Sequence, residues 1–313
     1  MIREKLKAEF FHLHFNNGIP SSEIELINLS ILLLDVELIV TSVFENKGKL
    51  AYLRQLEEAG KIKLHLLKTS DFGEIGPDDL ISVLVHNKSK ALISLSHANC
   101  FTGILLPVKD ISAIAKQYNA WFHLDSTLMI GNYELDVSRL QVDFLSFDVS
   151  LINGPVGVGC LFVNENLVLS NDRFNQLRST FKFSENKNSV LITGVKVAVQ
   201  EALENLSEKG TRISELRDYF IAELEQRLRL KAIDNYMKKK GLWNQLSFFA
   251  PKEKFGKYLI EKLDLNGFIV SKNVYPLELD DFQNNHFINI SLSTETTKEE
   301  IDSFRSFMQD IVK

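Results

Sequence analysis

Side chains that could bind a metal ion or transfer protons stand in the middle of the chain. His97, His123 and Asp125 have the required residue types, and Cys100 could act as a nucleophile. No His-x-x-x-His pair, the helical spacing of many zinc sites, accompanies them. We therefore do not expect a metal site, and we interpret Cys100 as a small buried hydrophobe.

A glycine-rich run follows at Gly154, Gly157 and Gly159, with a spacing that superficially suggests a dinucleotide-binding loop. Such a loop needs a helix after it, because the helix N-terminus holds the phosphates. Here residues 160–163 are Cys-Leu-Phe-Val, which predicts a strand. The sequence thus argues against a dinucleotide site.

The first half of the chain alternates short apolar runs with segments of helical periodicity. This alternation predicts repeated β-α units and a mainly parallel sheet. Ser21 or Ser22 can cap the second helix, which follows a turn at residues 16–20. The predicted strands are residues 11–15, 37–42, 63–67, 91–96, 121–124, 143–147 and 159–163, and the predicted helices are 2–10, about 21–34, 49–59, 78–85 and 108–118.

The second half has longer helices. Amphipathic patterns over residues 190–206 and 212–230 predict two of them, and the last helix covers 297–312. Thr296 and Glu299 form a capping-box pattern before that helix. Further strands are predicted at 246–250, 268–271 and 287–292, with a helix at 254–263. We expect a large α/β domain over residues 1–206 and a smaller α+β domain over 207–313.

Composition limits the possible partners. Lys and Arg total 36 against 41 Asp and Glu, a net charge of −5, so no nucleic-acid partner is expected. The longest apolar stretch, residues 24–43, is interrupted by acidic and polar residues and cannot span a bilayer. Only two cysteines and no apolar signal core favour a cytoplasmic protein.

Several motifs together resemble one family. They are Thr-Ser-Val-Phe-Glu-Asn at 41–46, Ser-Leu-Ser-His-Ala-Asn-Cys-Phe-Thr-Gly at 94–103, Trp-Phe-His-Leu-Asp-Ser at 121–126, and Asn-Gly-Pro-Val-Gly-Val-Gly at 153–159. In order and spacing they resemble the class V aminotransferases, and within these the cysteine desulfurases. The resemblance implies the α/β aspartate-aminotransferase fold of pyridoxal-phosphate (PLP) enzymes. It also implies a dimer with its active sites at the interface.

The resemblance implies roles for several polar residues. Asp125, two residues after His123, takes the position of the carboxylate that faces the pyridine nitrogen of PLP, and the resemblance implies that His123 also belongs to the cofactor site. Pro20-Ser21-Ser22 replaces a Gly-Gly-Thr phosphate segment, although simple helix capping explains Ser21 and Ser22 equally well.

Three further carry-overs are weaker. Asn46 aligns with the histidine that stacks on the cofactor ring, and Ser150 lies beside the Schiff-base position. Ser184 aligns with a threonine that serves the phosphate of the neighbouring subunit.

The Schiff-base lysine itself is missing. The family motif Leu-Ser-Phe-x-x-His-Lys-x-x-Gly-Pro-x-Gly aligns without a gap with residues 145–157, and its lysine falls on Leu151. Leucine has no nitrogen and cannot form an imine. Other family positions are also replaced: Asn46 stands for the stacking histidine, Leu128 for a glutamine, Cys100 for an asparagine and Asn289 for an arginine.

The sequence therefore leaves three hypotheses open. The first is a non-catalytic scaffold, a homodimer or a heterodimer with an active paralogue. The second is an enzyme that binds PLP or pyridoxamine phosphate non-covalently through Asp125, with Lys47 as a candidate proton shuttle. The third is a site adapted to another small anion at the helix carrying Ser21 and Ser22.

Overall fold

The computed structural model describes residues 1–9, 11–16, 19–70, 73–170, 189–228, 230, 241–250, 261–263 and 286–312. The chain divides into two compact units. The first comprises Met1–Thr69, Ile75–His97 and Leu106–Glu204. The second comprises Ser70–Glu74, Ala98–Leu105 and Asn205–Lys313.

A seven-stranded sheet in the order β1-β7-β6-β5-β4-β2-β3 forms the centre of the first unit. Only β7 runs antiparallel to its neighbours β1 and β6, so the sheet is mainly parallel, as the β-α alternation predicts. The strands are β1 (Phe11–Asn16), β2 (Leu38–Ser42), β3 (Lys63–Leu67), β4 (Ala91–Ser96), β5 (Trp121–Asp125), β6 (Phe144–Asp148) and β7 (Gly159–Asn164).

Helices connect these strands. They are α1 (Ile2–Lys5), α2 (Ile19–Leu34), α3 (Lys47–Glu58), α4 (Pro77–His86), α5 (Val108–Gln117), α6 (Val137–Leu140), α7 (Glu165–Ser170) and α8 (Ser189–Leu203), with a 3-10 turn at Ser150–Ile152. In the described part of the chain, no helix has the length and apolar content to cross a membrane.

The sheet has an apolar core on each face because neighbouring residues of a strand point in opposite directions. In β4, Ile93 and Leu95 belong to one core cluster and Leu92 to the other. In β7, Phe162 and Leu161 are divided in the same way. Strands buried on both faces explain why these runs are almost continuously apolar.

The second unit combines α9 (Leu206–Leu228) and α10 (Lys298–Val312) with the antiparallel pair β8 (Gln245–Ala250) and β9 (His286–Ser291). Its core includes an edge-to-face contact between Phe220 and Phe304, whose ring centroids are 5.2 Å apart. This α+β unit follows the helix and strand patterns of the sequence.

Several helix starts and ends differ from the sequence predictions, and α9 begins at Leu206, six residues before the predicted start. Helix α1 ends at Lys5, because Lys7 adopts a left-handed conformation (φ 51°) that stops the helix. Helix α2 begins at Ile19, so the backbone of Ser21 already lies in its first turn. The capping box is formed by Thr297 and Glu300, whose side chains bond each other's backbone N–H at 3.2 and 2.9 Å.

Helices α6 and α7 and the 3-10 turn are short and were not predicted from the sequence. The strand predicted at 268–271 lies outside the described residues, as does most of the helix predicted at 254–263.

Candidate active site

The carboxyl ends of β2, β4, β5 and β6 meet at one edge of the sheet. In parallel α/β sheets this is the edge where ligands bind. β4 and β5 end side by side, with Ser96 paired to Asp125, and β6 ends at Asp148. The strand topology therefore gathers the polar residues that the sequence places at strand ends.

Asp125 is held by the loop that follows it. Its Oδ1 accepts hydrogen bonds from the backbone N–H of Thr127 at 3.0 Å and from the Thr127 hydroxyl at 2.6 Å. Burial raises the pKa of Asp125, while the Thr127 bonds oppose that change. Asp125 is thus a half-buried carboxylate that would gain from a positively charged partner.

His123 is fully buried beneath that edge. Its Nδ1 lies 2.8 Å from Ser94 Oγ and its Nε2 lies 2.9 Å from Ser146 Oγ, so it connects β4, β5 and β6. Burial, and secondarily Lys49, lower its pKa well below the usual value, and the ring is neutral. With no exposed surface and both ring nitrogens engaged, His123 holds the three strands together, and its role in cofactor binding stays a prediction.

A second histidine, His97, lies beside Asp125. Its backbone N–H donates to the Asp125 carbonyl at 2.8 Å, and its Nδ1 lies 3.1 Å from Ser126 Oγ. Burial lowers its pKa to about 4, so its ring is neutral at physiological pH. His97 was predicted only as a weak metal-ligand candidate, although its position directly after β4 was a usable signal.

A fully buried lysine, Lys49, lies close to the same edge. Its Nζ donates to Glu45 Oε2 at 3.0 Å and to the Ser94 carbonyl at 3.2 Å, and it lies 3.2 Å from Glu23 Oε1. Burial alone would lower its pKa, but the carboxylates of Glu23 and Glu45 raise it above the ordinary value. The raised pKa of Lys49 favours a charged ammonium inside the fold.

Glu45 connects this ammonium to the strand end. Its two carboxylate oxygens accept the Ser96 backbone N–H at 2.8 Å and the Ser96 hydroxyl at 2.7 Å. Ser96 pairs with Asp125, so the Lys49–Glu45 ion pair lies close to the Asp125 carboxylate. The positive charge of Lys49 lowers the pKa of Asp125, and the negative charge of Glu45 raises it. The i,i+4 spacing of Glu45 and Lys49 was visible in the sequence, but it is equally typical of a solvated helix start.

Glu23, on α2, completes the group. Neither of its carboxylate oxygens accepts a hydrogen bond, although both are buried and Lys49 is close. Burial is the main cause that raises the pKa of Glu23, and the proton is therefore held more tightly than in water.

Leu151 lies in the 3-10 turn after β6 and is 61% exposed. A chain of hydrogen bonds connects that turn to Asp125: the Thr127 hydroxyl accepts from the Asp148 N–H at 3.1 Å, and Asp148 Oδ1 accepts from the Ser150 N–H at 2.8 Å. The turn that carries Leu151 thus belongs to the same edge as Asp125.

The other residues predicted to bind the cofactor differ in exposure and in their hydrogen bonds. Asn46 is exposed and caps α3, its Oδ1 accepting the Gly48 N–H at 2.8 Å. Ser22 is fully buried within α2, and its role at a cofactor phosphate stays a prediction. Ser21 lies in the same first turn, and Ser184 lies outside the described residues.

The second unit contains Cys100 and Asn289. Cys100 is exposed, so its interpretation as a buried hydrophobe is wrong. Asn289 Nδ2 donates to the Cys100 carbonyl at 3.4 Å, and Asn289 Oδ1 accepts the Ser247 hydroxyl at 3.2 Å. Asn289 is thus used within its own unit. Over the described ranges, no three His, Cys, Asp or Glu side chains are placed to hold a metal ion.

Comparison with known proteins identifies the family. The model of the class V aminotransferases matches residues 20–304. A cysteine desulfurase IscS of Dictyoglomus turgidum is 32% identical over 237 residues, which cover 74% of this chain and 58% of that protein. The IscS of Clostridium botulinum strain Hall is 26% identical over 88% of this chain and 72% of its own length.

Solved structures agree on the fold. A NifS-like protein from Rickettsia africae superposes with a TM-score of 0.83 at 19% identity, over 99% of this chain and 85% of its own. An apo cysteine desulfurase from Thermococcus onnurineus gives a TM-score of 0.81 at 20% identity, over 99% of this chain and 82% of its own. Among the sequence relatives, the Dictyoglomus turgidum protein is matched over only 58% of its own length. With the family model covering most of its length, this chain belongs to the class V aminotransferases.

Proposed function

We propose that this chain is a non-catalytic member of its family that retains the fold and acts through a protein partner. The main support is Leu151, an exposed leucine at the position where the family has its Schiff-base lysine. Hydrogen bonds connect the turn that contains Leu151 to Asp125. Class V aminotransferases depend on PLP, and a covalently held cofactor requires a lysine amine. Leu151 and its surroundings do not fit a covalent attachment.

The nearby lysine does not replace the missing amine. A neutral, accessible amine is needed for attack on an aldehyde. Lys49 has no solvent exposure, donates to two acceptors and is paired with two carboxylates that raise its pKa. These contacts support a structural role for Lys49 and oppose imine formation there.

An apolar surface beside the turn supports the partner role. Leu151 is 61% and Val156 is 89% exposed. A Cβ on Gly194 would lie 2.7 Å from the Pro155 ring, so this face of α8 packs closely against the loop. Val190 and Val197 lie one turn on either side of Gly194 and are 76% and 49% exposed. Exposed apolar side chains grouped on neighbouring elements mark interaction sites.

We infer that the surface formed by Leu151, Val156, Val190 and Val197 contacts a second copy of this chain or an active paralogue. Val156→Asp with Val197→Asp should shift the native complex to a smaller mass in light scattering. The matched control is Val85→Asp, an exposed valine on α4. Purification from native cells that yields only monomer, or an unchanged mass in the double variant, would contradict this role.

A second candidate is an enzyme that binds PLP or pyridoxamine phosphate without a covalent bond. The observation in its favour is Asp125, a carboxylate at the end of β5 whose raised pKa favours a cationic partner such as a pyridinium. Asp125→Ala should then abolish binding of pyridoxamine phosphate, measured by fluorescence titration. Asp136→Ala, which removes a carboxylate elsewhere in the same unit, is the control. Equal affinity of wild type and Asp125→Ala would exclude this candidate.

A further inference from the structure

A separate cavity opens at the opposite edge of the same sheet. Its volume is about 510 Å³, within the range of small-molecule sites. It lies where β5 and β6 begin, between the start of β5 at Trp121 and Asp143, the residue before β6. The length of β5 separates it from Asp125 by roughly 13 Å. This cavity is therefore independent of the candidate active site.

Asp143 supplies a carboxylate to this cavity. Its Oδ2 accepts the Phe122 N–H at 2.8 Å, and its backbone pairs with Phe122 and Asn164. No donor among the described residues reaches its Oδ1. Burial raises the pKa of Asp143 to about 6, although the hydrogen bond from the Phe122 N–H acts to lower it. The negative charge of Asp143 is therefore poorly compensated within the fold.

The C-terminal end of α5 lines the cavity as well. The end of a helix carries partial negative charge, which adds to the preference of Asp143 for a cation. Lys116, in the last turn of this helix, is exposed and makes no ion pair with any described residue. The cavity thus offers one negative group set in the wall and one positive group at the rim.

The remaining wall combines apolar and polar side chains. The half-buried Trp121 lines the cavity together with Ala115, Ala120 and Val142, and its polar lining residues are Ser112, Asn119, Gln141 and Asn164. An aromatic or aliphatic body would replace water on the apolar surfaces, and an ammonium group near the indole gains further attraction.

We propose that this cavity binds a free amino acid with an apolar side chain, its ammonium group received by Asp143 and its carboxylate by Lys116. A zwitterion matches both charges, whereas a simple amine would be repelled by Lys116 and a simple acid by Asp143.

Isothermal titration of the full chain with L-phenylalanine as the probe tests this proposal. We expect one saturable site, and Asp143→Asn should weaken binding by roughly tenfold, whereas Lys116→Gln, at the exposed rim, should weaken it by roughly two- to fivefold. Asparagine still accepts the Phe122 N–H, so the fold should survive. Asp110→Asn, an exposed aspartate in the first turn of α5, is the matched control and should bind as wild type.

Phenethylamine, which lacks the carboxylate, separates the two charges. Its binding should weaken in Asp143→Asn and not in Lys116→Gln. Binding of L-phenylalanine should also weaken as pH falls below about 6, where Asp143 becomes protonated. No saturable binding, equal affinity in Lys116→Gln, or a loss caused by Asp125→Ala in place of Asp143→Asn would overturn the proposal. Lys116 is exposed, so its variant decides the matter even if Asp143→Asn fails to fold.

Discussion

The ammonium of Lys49 lies 3.0 Å from Oε2 of Glu45, and both side chains are buried near the edge that in related folds binds ligands. A buried ion pair adds little stability compared with apolar residues, but breaking it leaves an uncompensated charge. This pair also fixes Ser96, the neighbour of Asp125. The geometry around Asp125 is thus coupled to an internal cation.

Removing that cation should be costly. We expect Lys49→Met to lower the free energy of unfolding by about 3–5 kcal/mol, because Glu45 and Glu23 remain buried without it. Urea denaturation at neutral pH measures the change. Lys47→Met, an exposed lysine two residues earlier, should change stability by less than about 0.5 kcal/mol. Similar stability in the two variants would contradict the charged state of Lys49.

Glu23 should give stability a distinct pH dependence. Burial raises its pKa in the folded state above that of the unfolded chain. Such a group stabilises the fold fully below the unfolded pKa, and this contribution is lost as pH rises through the folded pKa. Glu23→Gln has no ionisable group at this position, so its stability does not include this pH dependence. Wild type should therefore lose stability relative to Glu23→Gln as pH rises from acidic to alkaline values.

The measurement is urea denaturation of both proteins at several pH values. Glu58→Gln, an exposed glutamate of α3, should show no such trend relative to wild type. A stability difference between wild type and Glu23→Gln that stays constant across the series would contradict the raised pKa.

The loop after Leu151 should not tolerate a side chain at Gly154. A Cβ there would lie 2.7 Å from both the carbonyl oxygen and the Cβ of Val149. We expect Gly154→Ala to destabilise the protein by about 1–3 kcal/mol, since a close backbone contact cannot move aside cheaply. Gly76→Ala meets open space and should be nearly neutral. A thermal scan in which both variants melt together would show that the loop adapts.

Much of the fold follows from local patterns in the sequence. β3 and β4 have the predicted bounds, because their apolar runs are set off by turn residues. The predicted start of α2 is too late. Ser21 and Ser22 are good capping residues and indicate a start at that point, but the helix begins at Ile19.

The candidate site was harder to predict. Asp125 and Leu151 are visible through motifs alone, whereas Lys49 sits in Glu-Asn-Lys-Gly-Lys, a segment typical of a solvated helix start. Its burial results from packing of α3 against α2 and β4, which no local pattern encodes. The position of His97 beside Asp125 likewise results from the pairing of β4 with β5, which the local sequence does not show.

The proposal that this chain forms no imine with PLP is tested most directly by absorbance titration of the purified chain with PLP. We predict no saturable internal-imine band in wild type, and the same spectra for Lys47→Met and Lys49→Met. A band that saturates at one equivalent per chain would contradict the account. If the band then disappeared in Lys49→Met or Lys47→Met, that lysine would be the amine and the protein an enzyme.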